Sequence, residues 1–233
     1  VQHVLADAAA VLTDNVRMTL GALEIAERQE SRERFMFASS SEVTAGALYQ
    51  LKEAYPIPTP ENVSLILPKL SAKRTSYMLS KIYGEALCLH SSLPVTIFRP
   101  HNIYGPRMGM SHVIPEMLAR AEMACDGDSF EVPSSDHTRA FCYIDDAVQM
   151  LMRLIGTPVA LGDTFNLGNQ AEEISIAAVA DIIADTVGRQ LVITAKPAAP
   201  GSPARRCPDM SKTIAAINFI PQVSLREGIE KTH

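Results

Sequence analysis

Two short apolar runs, Arg34 to Ala38 and Val95 to Phe98, flank a segment from Ser71 to His90 that reads as helix. Strand, helix and strand in that order close most simply as a parallel βαβ unit, because parallel neighbours need a crossover long enough to carry a helix. The alternation therefore predicts a parallel sheet as far as about Phe98. In open parallel sheets, ligands sit outside the carboxyl ends of the strands. There the first run ends in Ser39-Ser40-Ser41-Glu42-Val43, and the second in Arg99-Pro100-His101-Asn102-Ile103-Tyr104-Gly105-Pro106.

The helix between the two runs carries Tyr77 and Lys81. Four residues apart, they share one helical face. An ammonium beside a phenol stabilises the phenolate, which suits the phenol to take a proton from a sugar or alcohol hydroxyl. Leu79, Ile82, Tyr83, Ala86 and Leu87 read as the packing face of the same helix. A Tyr-x-x-x-Lys pair is a weak signal in a chain with six tyrosines. Its weight comes from its position, where hydroxyl, phenol, ammonium and amide converge on one crevice.

Composition narrows what that crevice can serve. A length of 233 residues suits one large domain, or a domain with a smaller lobe, and 47% hydrophobic with 20% charged residues is ordinary for a globule. The formal charge of -5 gives no general attraction to nucleic acid. Cys88, Cys125, Cys142 and Cys207 have neither C-x-x-C spacing nor a disulfide framework. They suit a reducing compartment, hence the cytoplasm, and no metal site. No apolar run approaches a membrane span and no signal peptide is visible.

The remaining chain is read in order. Val1 to Ala6 reads as the tail of a buried strand, and Asn15 to Ala26 as an amphipathic helix on Val16, Leu20, Leu23 and Ala26, capped by Asp14 or Asn15. Thr44 to Leu70 reads as irregular, broken by Pro56, Pro58, Pro60 and Pro68. Next come a helix from His112 to Met123, a strand from Phe130 to Val132, and a helix capped by Asp145. A strand from Thr164 turns at Gly168, and a helix capped by Ser175 ends at Gly188. A strand from Leu191 to Thr194 leads into a proline-rich loop as far as Pro208, and Ser224 with Glu227 forms a capping box on the last helix. His101 and His112 read as satisfied histidines.

On several of these segments the chain resembles the extended short-chain dehydrogenase/reductase family, in particular its NAD-dependent nucleotide-sugar epimerases, dehydratases and decarboxylases. They are the Ser-Ser-Ser-Glu-Val run, Ser76-Tyr77-Met78-Leu79-Ser80-Lys81 with Gly84-Glu85, Arg99 to Pro106, Thr138-Arg139-Ala140-Phe141, Asp145-Asp146, Phe165-Asn166-Leu167-Gly168 and Arg206-Cys207-Pro208-Asp209. The resemblance implies a Rossmann-like doubly wound parallel sheet lacking its N-terminal strands, with a smaller α/β substrate lobe. Residues 1–106 would be the partial NAD-binding domain. Residues 107–233 would be mainly the lobe, with about 140–168 returning to the sheet. No G-x-G-x-x-G occurs, so on the order of 60 residues of the family's first half, with its phosphate-cradling turn, would be lacking.

The resemblance also implies roles. Ser40, Tyr77, Lys81 and Glu42 would be catalytic. Leu5, Ala6, Ser39, Tyr77, Lys81 and Pro100 would line the cofactor, NAD or alternatively NADP. Ser41, Asn102, Arg139 and Arg206 would hold a nucleotide-diphosphate sugar, the two arginines as planar forks on its phosphates. Family dehydratases carry Asp-Glu where this chain has Ser41-Glu42, which demotes dehydration. The implied activity is epimerisation at C4 through a transient keto sugar. Its alternatives are a hexuronate decarboxylase, a 4,6-dehydratase and a binding relative without turnover. A homodimer through the helices containing Asn15–Ala26 and Tyr77–Lys81 is also implied, equally consistent with plain core packing.

Overall fold

The computed structural model describes residues 4, 6–198 and 202–233. Helix α1 (Ala8–Glu27) leads to β1 (Phe35–Ala38), a 3-10 turn at Ser41–Thr44, α2 (Ala45–Leu51), α3 (Arg74–Leu89) and β2 (Val95–Pro100). The short β3 (Ile103–Tyr104) precedes α4 (Val113–Met123), β4 (Ser129–Pro133), β5 (Thr138–Ala140), β6 (Cys142–Tyr143), α5 (Ile144–Gly156) and β7 (Asp163–Leu167). The chain closes with β8 (Glu173–Ser175), α6 (Ile176–Val187), β9 (Val192–Lys196), β10 (Arg205–Arg206), α7 (Ser211–Ile217) and α8 (Leu225–Thr232).

The main sheet has the order β1-β2-β7 and is parallel throughout. Phe35 of β1 pairs with Val95 and Phe98 of β2 with Phe165, so the carboxyl ends of all three strands meet on one edge. Alternation sends Phe35 and Phe37 to the face covered by α1 and α3, and Met36 to the face covered by α5 and α7. The fold is thus α/β with helices on both faces of a parallel sheet. A second core joins α4, α6 and α8 to β4, and a small sheet of order β10-β5-β8 lies beside it.

Several helix starts differ from the sequence reading. α1 begins at Ala8, well before Asn15, because Asp7 caps it by accepting from the Ala10 amide at 3.0 Å. Asn15 instead spans two helices, donating to Ser80 Oγ of α3 at 2.9 Å. Val4 and Ala6 are helical rather than extended; the run from Ala8 to Ala10 favours helix. Val1 to His3 and Leu5 lie outside the described residues. Asp145 does not cap α5: it sits in the first turn, while Asp146 accepts from the amides of Gln222 and Val223. Ser175 and Ser224 cap α6 and α8 as expected, and Gly188 ends α6 in the left-handed conformation.

The face of α3 also differs. Tyr83 is 53% exposed, whereas Ser76, Ser80, Gly84, Glu85 and Cys88 are buried. Gly84 shows why: a Cβ there would meet Cζ of Phe37 at 2.2 Å, so helix and strand approach more closely than a side chain permits. Thr44 to Leu70 is not wholly irregular, since it contains α2 and a 3-10 turn at Lys52–Ala54.

Candidate active site

The carboxyl end of β1 is pinned to α3 at consecutive residues. Lys81 Nζ donates to the Ala38 carbonyl at 2.9 Å. Ser39 Oγ donates to Glu85 Oε1 at 2.5 Å. Glu85 also receives Arg99, from the end of β2, through Nε at 2.8 Å and Nη2 at 2.7 Å. Both members of this fork are buried, and three charge-assisted donors offset the cost of burying the carboxylate. Tyr77, Lys81 and Glu85 stand at i, i+4 and i+8, so one helical stripe faces the strand end.

Just beyond, Ser40 caps the Ser41–Thr44 turn by accepting from the Glu42 amide at 3.2 Å. α3 packs against this turn. Arg74, the first residue of α3, lies 3.8 Å from Glu42. Tyr77 follows Arg74 by three residues, so the two share one side of the helix. The Lys81 ammonium lies 5.7 Å from the Tyr77 ring centroid and 5.4 Å from that of Phe37. Burial lowers its pKa from the ordinary lysine value.

The lobe reaches the same point through Arg206, whose Nη1 meets Glu42 Oε1 at 2.7 Å. The Arg206 guanidinium, and behind it Arg74 and Arg139, hold the Glu42 carboxyl below its usual range despite its burial. Glu42 is therefore an ionised acceptor and no proton donor near neutral pH. Arg206 Nε is buried without a partner among the described residues. An orphaned guanidinium N–H beside a paired one leaves room for a further acceptor.

Other expected residues fall out differently. The Ser39 hydroxyl is spent on Glu85, so it faces inward and not into the crevice. Ser41 is buried, and its carbonyl accepts from Thr44. Pro100 is partly buried at the end of β2, and Ala6 is an exposed residue of helical backbone. Arg139 does not present a free fork: its terminal nitrogens donate to the carbonyls of Thr138, Pro203 and Ala204 and to Ser202 Oγ. Burial and the nearby Arg206 bring its pKa down to about 10.

Asn102 sits at φ 42° and donates to the Ala140 carbonyl at 2.8 Å. With Arg139, His112, Arg120, Glu131 and Phe141 it lines a cleft of about 540 Å³. A larger cavity of about 680 Å³ lies between the segment from Leu48 to Ile57 and the edge of β10, and none of Ser40, Tyr77 or Lys81 lines it. His101 is fully buried, with Nε2 on Asn166 Oδ1 at 3.0 Å and Nδ1 unpartnered. Desolvation pushes its pKa down to about 3, so it is neutral and no acid or base here. Among the described residues no cluster could hold a metal ion, and no helix is long and apolar enough to cross a membrane.

Sequence reasoning passed over Arg74, Glu85 and Arg99 as site residues. The signal for the first two was the helical spacing around Tyr77. For Arg99 there was only its place at a strand end.

Residues 1–168 match the model of the NAD dependent epimerase/dehydratase family. The uncharacterized UDP-glucose epimerase YtcB of Bacillus subtilis (strain 168) is 29% identical over 210 residues, 87% of this chain and 60% of that protein. UDP-glucuronic acid decarboxylase 1 of Arabidopsis thaliana is 30% identical over 228 residues, 93% of this chain and 48% of that protein. The chain thus spans 60% and 48% of the length of these curated relatives. Among solved structures, RMD from Pseudomonas aeruginosa, complexed with NADPH, superposes with a TM-score of 0.84 at 23% identity, over 100% of this chain and 76% of that one. This likeness shows that the fold is Rossmann-like.

Proposed function

The chain belongs to the NAD dependent epimerase/dehydratase family, and from that membership we propose that it acts on a nucleotide-diphosphate sugar as an NAD-dependent epimerase. The carbon inverted is C4, through a transient keto sugar. The observation that carries this reading is the 2.7 Å contact between Glu42 and Arg206, which brings an incompletely paired guanidinium to the turn that Ser40 caps. On this reading the Ser40 hydroxyl, the Tyr77 phenol and the Arg206 clamp serve one substrate.

The residues at the end of β1 fit a nicotinamide ribose. Asn15, Thr19, Ala38, Ser80 and Lys81 line a groove of about 260 Å³ beside β1, whose outer edge pairs with no described strand. The Lys81 ammonium there is a donor suited to ribose hydroxyls. When bound, NAD supplies the hydride acceptor for the carbon being oxidised. Tyr77, held as the phenolate by the Lys81 ammonium, takes the proton of the sugar hydroxyl and becomes the phenol, while Ser40 holds the reacting oxygen. Arg206 receives the diphosphate, and Asn102 with the cleft of about 540 Å³ takes the nucleoside. Residues 1–106 serve the cofactor and 107–233 the substrate, with about 140–168 returning to the sheet.

An ionised Glu42 offers no proton to a departing hydroxyl, which counts against dehydration. A second reading, a hexuronate decarboxylase, draws support from Arg74, Arg139 and Arg206 around the single carboxylate of Glu42. That excess of cation suits a substrate with a carboxylate besides its diphosphate. A homodimer through α1 and α3 is supported by the exposed Met18, Leu20, Ile25 and Tyr83. Incubation with UDP-glucose and UDP-glucuronate tests the main reading: C4 inversion supports it, and carbon dioxide release from UDP-glucuronate overturns it in favour of decarboxylation.

A further inference from the structure

Asn166, on β7, is 2% exposed, and every polar atom it has is engaged. Its amide N–H donates to Glu61 Oε1 at 2.7 Å, and its carbonyl accepts from Thr213 Oγ1 at 2.6 Å. Side-chain Nδ2 donates to two carbonyls, Thr59 at 3.0 Å and Asp209 at 3.1 Å. Oδ1 is left for His101 Nε2. Two in-plane donors beside one acceptor is a set that only a side-chain amide offers here.

The two carbonyls belong to segments that pair with each other. Thr59 N–H donates to the Cys207 carbonyl, and Asp209 N–H returns to the Thr59 carbonyl, both at 2.9 Å. Thr59 to Glu61 thus forms a strap over the carboxyl ends of β2 and β7, also held by Arg99 Nη1 on the Glu61 carbonyl at 3.0 Å. Arg99 is in turn gripped by Glu85 of α3. Contacts therefore run from the helix of Tyr77 through Glu85, Arg99 and the strap to Cys207. The residue before Cys207 is Arg206, which reaches back to Glu42 beside Ser40.

We propose that Asn166 is a positioning residue for Arg206, fixing through Thr59 and Asp209 where that guanidinium stands relative to Glu42 and the Ser40 turn. Its role as part of a substrate clamp rests on the reading of Arg206 given above. β10 is only two residues long and cannot by itself fix the direction of a long side chain. The paired segment Cys207 to Asp209 supplies that restraint, and among the described residues Asn166 is the only side chain that donates to both of its strands. A carboxylate at 166 would set an oxygen against two carbonyl oxygens, with Glu61 close by, and open the pairing.

The test separates geometry from function. In the full chain without ligand, Glu42→Ala, Arg206→Ala and the double variant are melted in wild-type and Asn166→Asp backgrounds, and the coupling of the first two is read from the Tm shifts. Coupling worth a few °C in the wild type, and lost in Asn166→Asp, is expected; equal coupling in both backgrounds overturns the proposal. Should Asn166→Asp not fold, Asn166→Ser replaces it, which removes the paired amide donors without adding a charge, and equal coupling there overturns the proposal in the same way. Calorimetry with UDP adds the second arm. Asn166→Asp weakens UDP binding about tenfold in the wild type and less than twofold in Arg206→Ala, and equal losses in both backgrounds overturn the proposal. A wild-type chain that ignores UDP while the coupling behaves as stated sinks the proposed function and leaves the positioning role intact.

Discussion

Arg206 and Glu42, 164 residues apart in sequence, meet at 2.7 Å beside the turn that Ser40 caps. The pair joins β10 to the turn that follows β1, and Arg206 Nε is buried without a partner among the described residues.

Removal of this guanidinium has a definite expected cost. Arg206→Ala weakens nucleotide-sugar binding by ~1.5 to 3 kcal/mol, the range for a charge-assisted contact. Arg206→Lys does not restore it, since an ammonium cannot serve Glu42 and a phosphate as a planar fork does. Isothermal titration with UDP-glucose checks both, and binding equal to wild type in Arg206→Ala would refute the clamp.

Tyr77→Phe abolishes turnover and leaves nucleotide-sugar affinity nearly intact. The hydroxyl it removes has no hydrogen bond among the described residues, so little packing or pairing is lost. Single-turnover kinetics beside a binding isotherm separate the two effects, and unchanged turnover would remove Tyr77 from the mechanism.

His101 makes stability depend on pH with a fixed sign. Its folded pKa of about 3 lies below the ordinary value of 6.5, so between the two the unfolded chain holds the extra proton. The stabilising contribution is complete above the ordinary value and shrinks as pH falls toward the folded one, by at most about 1.4 kcal/mol per unit. Urea unfolding from pH 7 to 5 should show a shallower slope for His101→Gln than for wild type, though from a lower starting stability. Parallel slopes would show that His101 takes no part.

Gly84→Ala destabilises the fold although alanine is the better helix former. The added methyl would overlap the Phe37 ring, and overpacking costs ~1 to 3 kcal/mol against a propensity gain of about 1 kcal/mol. Phe37→Leu in the same chain should recover part of the loss. A Tm that rises in Gly84→Ala alone would mean that helix and strand separate easily.

Much of the architecture was legible because period and order carry it. The βαβ unit around Tyr77 follows from two apolar runs and one helical stretch, and Ser175 and Ser224 announce their helices by chemistry that acts within three residues. The face of α3 was misread for a physical reason. Its buried side is lined by Ser76, Ser80 and Gly84, small residues that permit close approach, while apolar Tyr83 points outward. A reading keyed to hydrophobicity selects the wrong stripe. The engagement of Arg139 with Ser202 to Ala204 was equally hidden, since partners more than 60 residues away leave no local mark. Lys81 and Glu85 could be placed beside β1 by spacing, but that Ser39 turns inward to meet Glu85 could not.

The strap at Thr59 has a bearing on how the protein is made. Its backbone partners, Cys207 and Asp209, leave the ribosome well after β1, α3 and β2, which are by then able to assemble. Until then the carbonyl of Thr59 lacks its amide donor from Asp209, and Arg206 does not yet exist to meet Glu42. β1 and β2 can therefore pair early, while the contact of Arg206 with Glu42 takes shape only after that half of the sheet is built.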